Sequence, residues 1–468
     1  GKAGGDGMAV QLIEAKLPDF GIPAARPELP RAIYASRLDA LNKARRAAGV
    51  DTLAIYADRE HCANLCWLTG FDPRFEEALL ILSSGQTPTL LAGPENLGRA
   101  QKSMIEVEAR LYPPFGLLGQ DRSQTPALAE VLTSAGVEPG QRIGVLGWKY
   151  FGTHESPRPD TWFETPGYII DTLRQLVGGA GRVVNANALL MDASTGLRAV
   201  NEVEQIAQFE FGAVMAAEAL KALFRSVRPG MSEFAAVQSM GLVGLPHSCH
   251  TMLSTGDRLV GLDSPSGKII EAGDPLTTAV GYWGGLSSRV AWMVADKSGL
   301  PANASDWLER LAMPYFACAA EWYETIGIGV AGGTLDAIAR KHLGDPFFNL
   351  ILNPGHLIHI DEWLNTPVYP RSTEQFRSGQ AIQCDIIPAV GPPYYSANIE
   401  DGIALLDQRG RDELRDKYPE VAARMVARRA FMADVLGIHL KAEVLPLSNL
   451  AAAYPPFLLA PDRLLAKR

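Results

Sequence analysis

The sequence predicts two domains, an α/β domain followed by a domain that mixes helices with groups of strands. The chain has 468 residues, which is too long for one ordinary hydrophobic core. In its first part, helix-like spacing of apolar residues alternates with short apolar runs. We expect an arm over residues 1–30 with an expression remnant before Met8, the first domain over 31–192, the second over 196–445, and a tail over 446–468.

The elements of the first domain follow in order from these patterns. Apolar residues three and four apart in "YASRLDALNKARRAAGV" predict a helix. Short buried strands are predicted from "DTLAIYA", "EALLILS", "TPTLLAG", "GQRIGVLGW" and "GRVVNANALL". The alternation of these segments is typical of an α/β domain.

The second domain begins with a long helix pattern after residue 196. Glu202 and Glu204 lie near its predicted N-terminus, where negative charge is favourable, and Pro229-Gly230 ends it. A helix, strands over about 249–296, helices at about 305–327 and 333–343, and strands over about 357–407 follow. The order predicts a domain of mixed helices and strands.

Composition excludes several classes of function. The formal net charge of -9 gives no basic surface for nucleic acid. With 47% hydrophobic residues and no apolar run long enough to span a bilayer, the chain is expected to be soluble and not membrane-bound. Five scattered cysteines and an opening segment unlike a secretory signal favour the cytoplasm.

Several segments in order resemble the creatinase, prolidase and aminopeptidase P family. They are "LRAVNEVEQIAQFEFGAVMAAEALKALFRSVRPGMSE", "EAGDPLTTAVGYWGGLSSRV", "NPGHLIHIDEW", "FRSGQAIQCDIIP" and "SANIEDGIALL". The resemblance covers residues 31–445. It implies an α/β N-terminal domain plus an α+β pita-bread C-terminal domain with a curved, mostly antiparallel sheet, and a homodimer.

The same resemblance indicates an atypical site. Metallopeptidases of the family hold two divalent ions with two aspartates, a histidine and two glutamates, whereas creatinase works without metal. The positions of the two aspartates are Ala279 and Leu286 here, or Ser287 for the second if the loop is gapped differently. Neither offers a carboxylate, so no dinuclear centre is expected. Creatinase has an acidic residue just before a site arginine, and the corresponding residue before Arg289 is Ser288 here. The histidine base of creatinase is replaced by Leu262 or Asp263.

Four residues are the predicted catalytic groups. By resemblance His359 is the family's second histidine, His356 substitutes for the metal histidine, and Asp385 and Glu400 take the places of the last two glutamates. Independently, a hairpin centred between Pro392 and Pro393 would place Asp385 opposite Glu400. Like charges opposed in a sheet need a proton, a cation or an arginine between them.

Other residues receive supporting roles. Arg289 is predicted to orient a substrate carboxylate or to balance the acidic pair, and Tyr282 and Trp363 are predicted to bind substrate or line the pocket. Asp361 and Glu362 are interpreted as a solvated or arginine-paired turn rather than as catalytic groups.

Three functional hypotheses follow. The first is a metal-independent hydrolase that cleaves an amide or amidine C–N bond of a small polar or dipeptide-like substrate. The second is an Xaa-Pro type peptidase with one zinc, manganese or iron ion held by His356, Asp385 and Glu400. The third is an inactive binding module on the same fold.

Overall fold

The computed structural model describes residues 9–468, so the expected expression remnant and Met8 lie outside the described residues. The chain forms two compact units. One covers residues 29–199, and the other covers residues 200–468 together with the segment before residue 29. Strand β1 (Val10–Glu14) pairs antiparallel with the last strand, β17 (Arg463–Lys467), so the predicted arm and tail are joined as a two-stranded sheet.

The unit over residues 29–199 is an α/β domain, as predicted. Its elements are α1 (Arg31–Ala47), β2 (Thr52–Ala57), α2 (Ala63–Thr69), β3 (Ala78–Ser83), β4 (Thr89–Ala92), α3 (Leu97–Ala100), β5 (Glu108–Leu111), α4 (Leu128–Ser134), β6 (Ile143–Leu146), α5 (Gly167–Val177), β7 (Val183–Asn185) and α6 (Ala188–Met191). The strands form one mixed sheet in the order β5-β4-β3-β2-β6-β7. Strands β2, β3 and β4 are buried along their whole length, which agrees with their continuous apolar runs.

The second unit contains the remaining elements. They are α7 (Val203–Ser226), α8 (Glu233–Gln238), β8 (Met252–Thr255), β9 (Pro275–Tyr282), β10 (Gly285–Trp292), α9 (Met313–Thr325), α10 (Gly332–Leu343), β11 (Leu350–Ile351), β12 (His356–Leu357), β13 (Ala381–Cys384), β14 (Ile387–Pro388), β15 (Asn398–Leu405), α11 (Gln408–Lys417), α12 (Pro419–Asp434) and β16 (Val444–Pro446). A π-helical turn over Leu308–Ala312 leads into α9. None of the helices within residues 9–468 is both long and apolar enough to cross a membrane.

An antiparallel sheet is the centre of this unit. Its strands follow the order β12-β13-β15-β10-β9-β8, and β16 pairs with β15. Helix α7 packs on β9 and β10. The turn between these strands needs Gly284, because its φ is +90° and an added Cβ would lie 2.1 Å from the Phe209 ring. Helix α7 therefore backs the turn that joins two strands of the central sheet.

Candidate active site

The hairpin of β13 and β15 has the predicted register. Ala381 pairs with Ala404 and Cys384 with Asp401, so the ladder leads directly to Asp385 and Glu400 at its end. Both carboxylates are buried, with exposures of 6% each. The prediction that the hairpin brings these two acidic residues together is therefore confirmed by the register.

His356 lies beside this pair on the neighbouring strand. It is fully buried on β12. Its Nε2 lies 3.3 Å from an oxygen of Asp385 and 3.7 Å from an oxygen of Glu400. Its Nδ1 lies 3.1 Å from the carbonyl oxygen of Leu357, and Nδ1–H as donor leaves Nε2 directed at the carboxylates. A cation, either a proton or a metal ion, must then lie between Nε2 and these oxygens.

Glu362 joins the same cluster, which corrects the sequence interpretation of this residue as a solvated or arginine-paired turn. An oxygen of Glu362 lies 3.3 Å from His356 Nε2, and the side chain is only 25% exposed. The segment after β12 folds back, so that the next residue, Trp363, stacks on the His356 ring with centroids 4.1 Å apart. In the sequence, this contact was indicated only by the short separation of Glu362 from His356, which is six positions.

The titratable groups perturb one another. Burial lowers the pKa of His356, but the charge of Glu362 and hydrogen bonds that His356 donates to Asp385, Glu362 and Glu400 outweigh it and raise this pKa well above its usual range. Burial also raises the pKa of Glu400, and the charge of Asp385 adds to the effect. Burial opposes ionisation of Glu362, yet the charge of His356 leaves the Glu362 pKa below its usual value. The arrangement favours an imidazolium, an ionised Glu362 and a protonated Glu400.

Two further predicted site residues lie in buried surroundings. His359 packs edge-on against Phe209, with centroids 4.9 Å apart. The Tyr282 hydroxyl lies 3.3 Å from the Val243 carbonyl oxygen, and its ring stacks with His247 at 4.6 Å. The distances from His356 Nε2 to Asp385 and Glu400 make His356 a candidate for proton transfer, and the role predicted for His359 stays a prediction.

Arg289 is the clearest correction to the predicted site. Because side chains alternate along a strand, Arg289 and Asp401 lie on the face of the sheet opposite to Ser288 and Glu400. The Arg289 guanidinium donates to an Asp401 oxygen at 2.7 Å, and both side chains are buried. The prediction that Arg289 balances the Asp385 and Glu400 pair or binds substrate is wrong in this geometry, since its charge pairs with Asp401.

Gln383 is a site residue that the sequence analysis missed. It is fully buried on β13, opposite His356 on one side and Gly402 on the other. Its Nε2 donates to an oxygen of Glu400 at 3.0 Å and to the Leu286 carbonyl oxygen at 2.8 Å. In the sequence, Gln383 precedes Asp385 by two positions, and this spacing places both side chains on one face of the strand. The spacing could have indicated that Gln383 belongs to the site.

Ala279 and Leu286, which the resemblance predicts to replace the family's two aspartates, lie in apolar surroundings. Ala279 and Leu286 pack with Met252 and the half-buried Cys249 in one cluster. Opposed residues share a face of a sheet, and Glu400 pairs with Ser288, which pairs with Ala279. The cluster therefore lies on the Glu400 face and supplies no charge for a second ion. A dinuclear centre does not fit these residues.

A single ion does fit. His356, Glu362 and Glu400 each offer a ligand atom, and these atoms lie within 4.8 Å of one another. The predicted three-ligand set contained Asp385 instead of Glu362. Zinc holds nitrogen and oxygen ligands at about 2.0–2.2 Å, which places tetrahedral donors about 3.4 Å apart. His356 Nε2 lies 3.3 Å from an oxygen of Glu362 and 3.7 Å from an oxygen of Glu400, which is compatible with that spacing.

Comparisons with known proteins agree with this architecture. Residues 37–151 match the family model of the creatinase/prolidase N-terminal domain. An Xaa-Pro dipeptidase from Bacillus anthracis is 16% identical with a TM-score of 0.59, over 81% of this chain and 96% of that chain. A prolidase from Pyrococcus horikoshii is 16% identical with a TM-score of 0.60, over 79% and 95%. An X-Pro aminopeptidase from Thermotoga maritima is 15% identical with a TM-score of 0.59, over 80% and 95%.

No curated protein matches the sequence. The structural similarity extends over most of the chain and establishes the fold. Together with the α/β first unit and the antiparallel sheet of the second, it confirms the predicted fold class, an α/β domain joined to a pita-bread domain.

Proposed function

We propose that this chain belongs to the creatinase/prolidase family and hydrolyses a C–N bond of a small polar substrate without a dinuclear metal centre. The observation that carries the proposal is the position of His356 Nε2, 3.3 Å from oxygens of both Glu362 and Asp385 in a buried cluster. A histidine and carboxylates within hydrogen-bond reach are the groups that general acid–base catalysis requires.

Each residue of the cluster has a definite task in this proposal. Asp385 removes a proton from the attacking water, whose oxygen forms the new bond to the substrate carbon. His356 donates its Nε2 proton to the leaving nitrogen as the C–N bond breaks. The proton on Asp385 then returns to His356 across the 3.3 Å separation. The charge of Glu362 stabilises the imidazolium before the first step and after the last one.

A single-metal peptidase is the second candidate, and the 4.8 Å grouping of His356, Glu362 and Glu400 favours it. These residues would hold the ion, and a bound ion would polarise the substrate carbonyl and acidify water. In that case Asp385 supplies the base, and Trp363 orients the His356 ring by stacking on it.

The substrate is expected to be small and polar, and to carry positive charge near the scissile bond. Asp385 and Glu362 outnumber the single His356 charge, so a cationic group would be attracted to the cluster. The named neighbours are an Xaa-Pro dipeptidase, a prolidase and an X-Pro aminopeptidase, which supports testing dipeptide-like compounds beside guanidino compounds.

A homodimer in the cytoplasm remains part of the proposal. The first unit presents Phe75, which is 71% exposed and has a φ of 68°, an uncommon conformation for an aromatic residue. Ion pairs of Asp72 with Arg74 and Arg99 hold the loop that carries it. A loop held by ion pairs that exposes an aromatic residue is suited to contact with a second subunit.

The experiment that tests the function has two stages. A thermal-shift screen of guanidino, betaine, imide and Xaa-Pro compounds finds a ligand, since a ligand at about 100 times its Kd adds about 2.7 kcal/mol of stability. Turnover is then measured with and without a chelator. Activity that survives chelation supports the metal-independent hydrolase, and activity lost with the metal supports the second candidate.

Variants test the assigned residues. His356→Gln and Asp385→Asn are expected to lower turnover by about 100- to 10,000-fold. His250→Gln is the matched control, because His250 is exposed and lies outside the cluster. Near-normal turnover of both site variants would show that the site is misassigned. Ligand binding without turnover in the unmodified protein would identify a binding module.

A further inference from the structure

Gln383 makes an unusual contact for a residue in the middle of a strand. Its side chain reaches from β13 past Gly402 of β15 to the backbone of β10, where Nε2 donates to Leu286 O at 2.8 Å. The same nitrogen donates to Glu400 Oε2 at 3.0 Å. One amide group thus connects three strands beneath the carboxylate cluster.

The orientation of this amide follows from its partners. Leu286 O can only accept, and Glu400 Oε2 accepts when the carboxyl is ionised or protonated on Oε1. The reversed amide would place its oxygen against two acceptors. The Gln383 N–H groups therefore keep Glu400 Oε2 as an acceptor, and any proton on this carboxyl resides on Oε1.

Gly402 makes the contact possible. A Cβ at this position would lie 2.4 Å from Gln383 Oε1, so even alanine would displace the amide. The same Oε1 is buried and has no hydrogen-bond partner among the residues that the structure describes. A buried acceptor without a donor destabilises a fold, so packing alone does not explain an amide here.

We infer that Gln383 is a positioning residue that fixes the Glu400 carboxyl with Oε2 towards His356. Glu400 Oε2 is the oxygen that lies 3.7 Å from His356 Nε2. A carboxyl held in this way keeps an acceptor oxygen next to His356 Nε2. The inference rests on the proposed function, since only there does this orientation serve proton transfer.

Isotope-edited infrared spectroscopy tests the inference without any substrate. Protein labelled with carboxyl-¹³C glutamate, compared with Glu400→Gln in the same labelling, gives the carboxyl band of Glu400. Gln383→Met removes the donor with little change in volume, and Gly402→Ala displaces the unaltered amide. Ile382→Val is the matched control, because its side chain lies on the opposite face of the same strand.

We expect the Glu400 band to shift to higher frequency in both Gln383→Met and Gly402→Ala, because each removes a hydrogen bond to the carboxyl. The double variant should shift no further than Gln383→Met, since Gly402→Ala acts only through Gln383. Ile382→Val should leave the band unchanged. With a substrate, Gln383→Met should lower kcat by about 10- to 100-fold with little effect on KM.

An unchanged Glu400 band in folded Gln383→Met or Gly402→Ala overturns the inference. Failure of both variants to fold, against a folded Ile382→Val, would assign Gln383 to stability and also overturn it. The outcome is separable from that of the proposed function. An inactive protein with the expected shifts contradicts only the function, and an active enzyme with an unshifted band contradicts only the role of Gln383.

Discussion

Replacement of Glu362 by glutamine tests whether this residue pairs with a charged His356. The substitution keeps the size and the hydrogen-bonding capacity of the side chain but removes its charge. At 3.3 Å, two unit charges attract by about 5 kcal/mol when the effective dielectric constant is about 20. Desolvation of the fully buried His356 offsets much of this attraction. Asp385 remains beside the imidazolium, so we expect Glu362→Gln to lower the free energy of unfolding by about 1.5–3 kcal/mol near pH 7.

The destabilisation by Glu362→Gln should depend on pH, in a direction that follows from the two pKa shifts. The Glu362 pKa is lowered in the folded protein, so its stabilisation is present above about pH 4.3 and is lost as the pH falls through the folded value. The His356 pKa is raised, so its stabilisation is complete below about pH 6.5 and is lost as the pH rises through the folded value. The difference between wild type and Glu362→Gln should therefore be largest between these limits and should shrink on both sides.

The assay is urea unfolding of chelator-dialysed protein at a series of pH values. Glu309→Gln is the matched control, because Glu309 forms an ion pair with Lys297 at 3.0 Å but both side chains are exposed, by 45% and 64%. That variant should change stability by less than about 1 kcal/mol. The ion pair would be refuted if Glu362→Gln lowered the free energy of unfolding as little as Glu309→Gln, or by an amount that does not vary with pH. The interpretation of Glu362 as part of a solvated turn would then hold.

Three further predictions concern the metal, the fold and the assembly. Elemental analysis of protein purified without chelator should not find about two ions per chain, because Ala279 and Leu286 supply no carboxylates. Arg289→Met should destabilise the protein by about 3–5 kcal/mol in urea, since it removes the cation that pairs with the buried Asp401 charge, and Asp401→Asn added to it should recover part of the loss. Light scattering at micromolar concentration should give twice the mass of the 50.5 kDa chain, and the mass of one chain would contradict the homodimer.

The sequence alone determined the architecture and part of the site. Short continuous apolar runs predicted strands β2, β3 and β4, and ordered segments that resemble a known family predicted the fold. The register of β13 with β15 followed from the turn between Pro392 and Pro393, and it brought Asp385 and Glu400 together. These features depend on apolar runs and on residues close in sequence, which the sequence shows directly.

Tertiary structure decided which other groups complete the cluster. Glu362 reaches His356 because the segment after β12 folds back, and Gln383 reaches Glu400 because Gly402 leaves space across the sheet. Arg289 was lost from the predicted site because it lies on the opposite face, where it pairs with Asp401. Such contacts depend on the path of loops and on packing between strands distant in sequence. The sequence shows which side chains can carry a charge. Only the folded structure determines which groups lie close enough to pair with them.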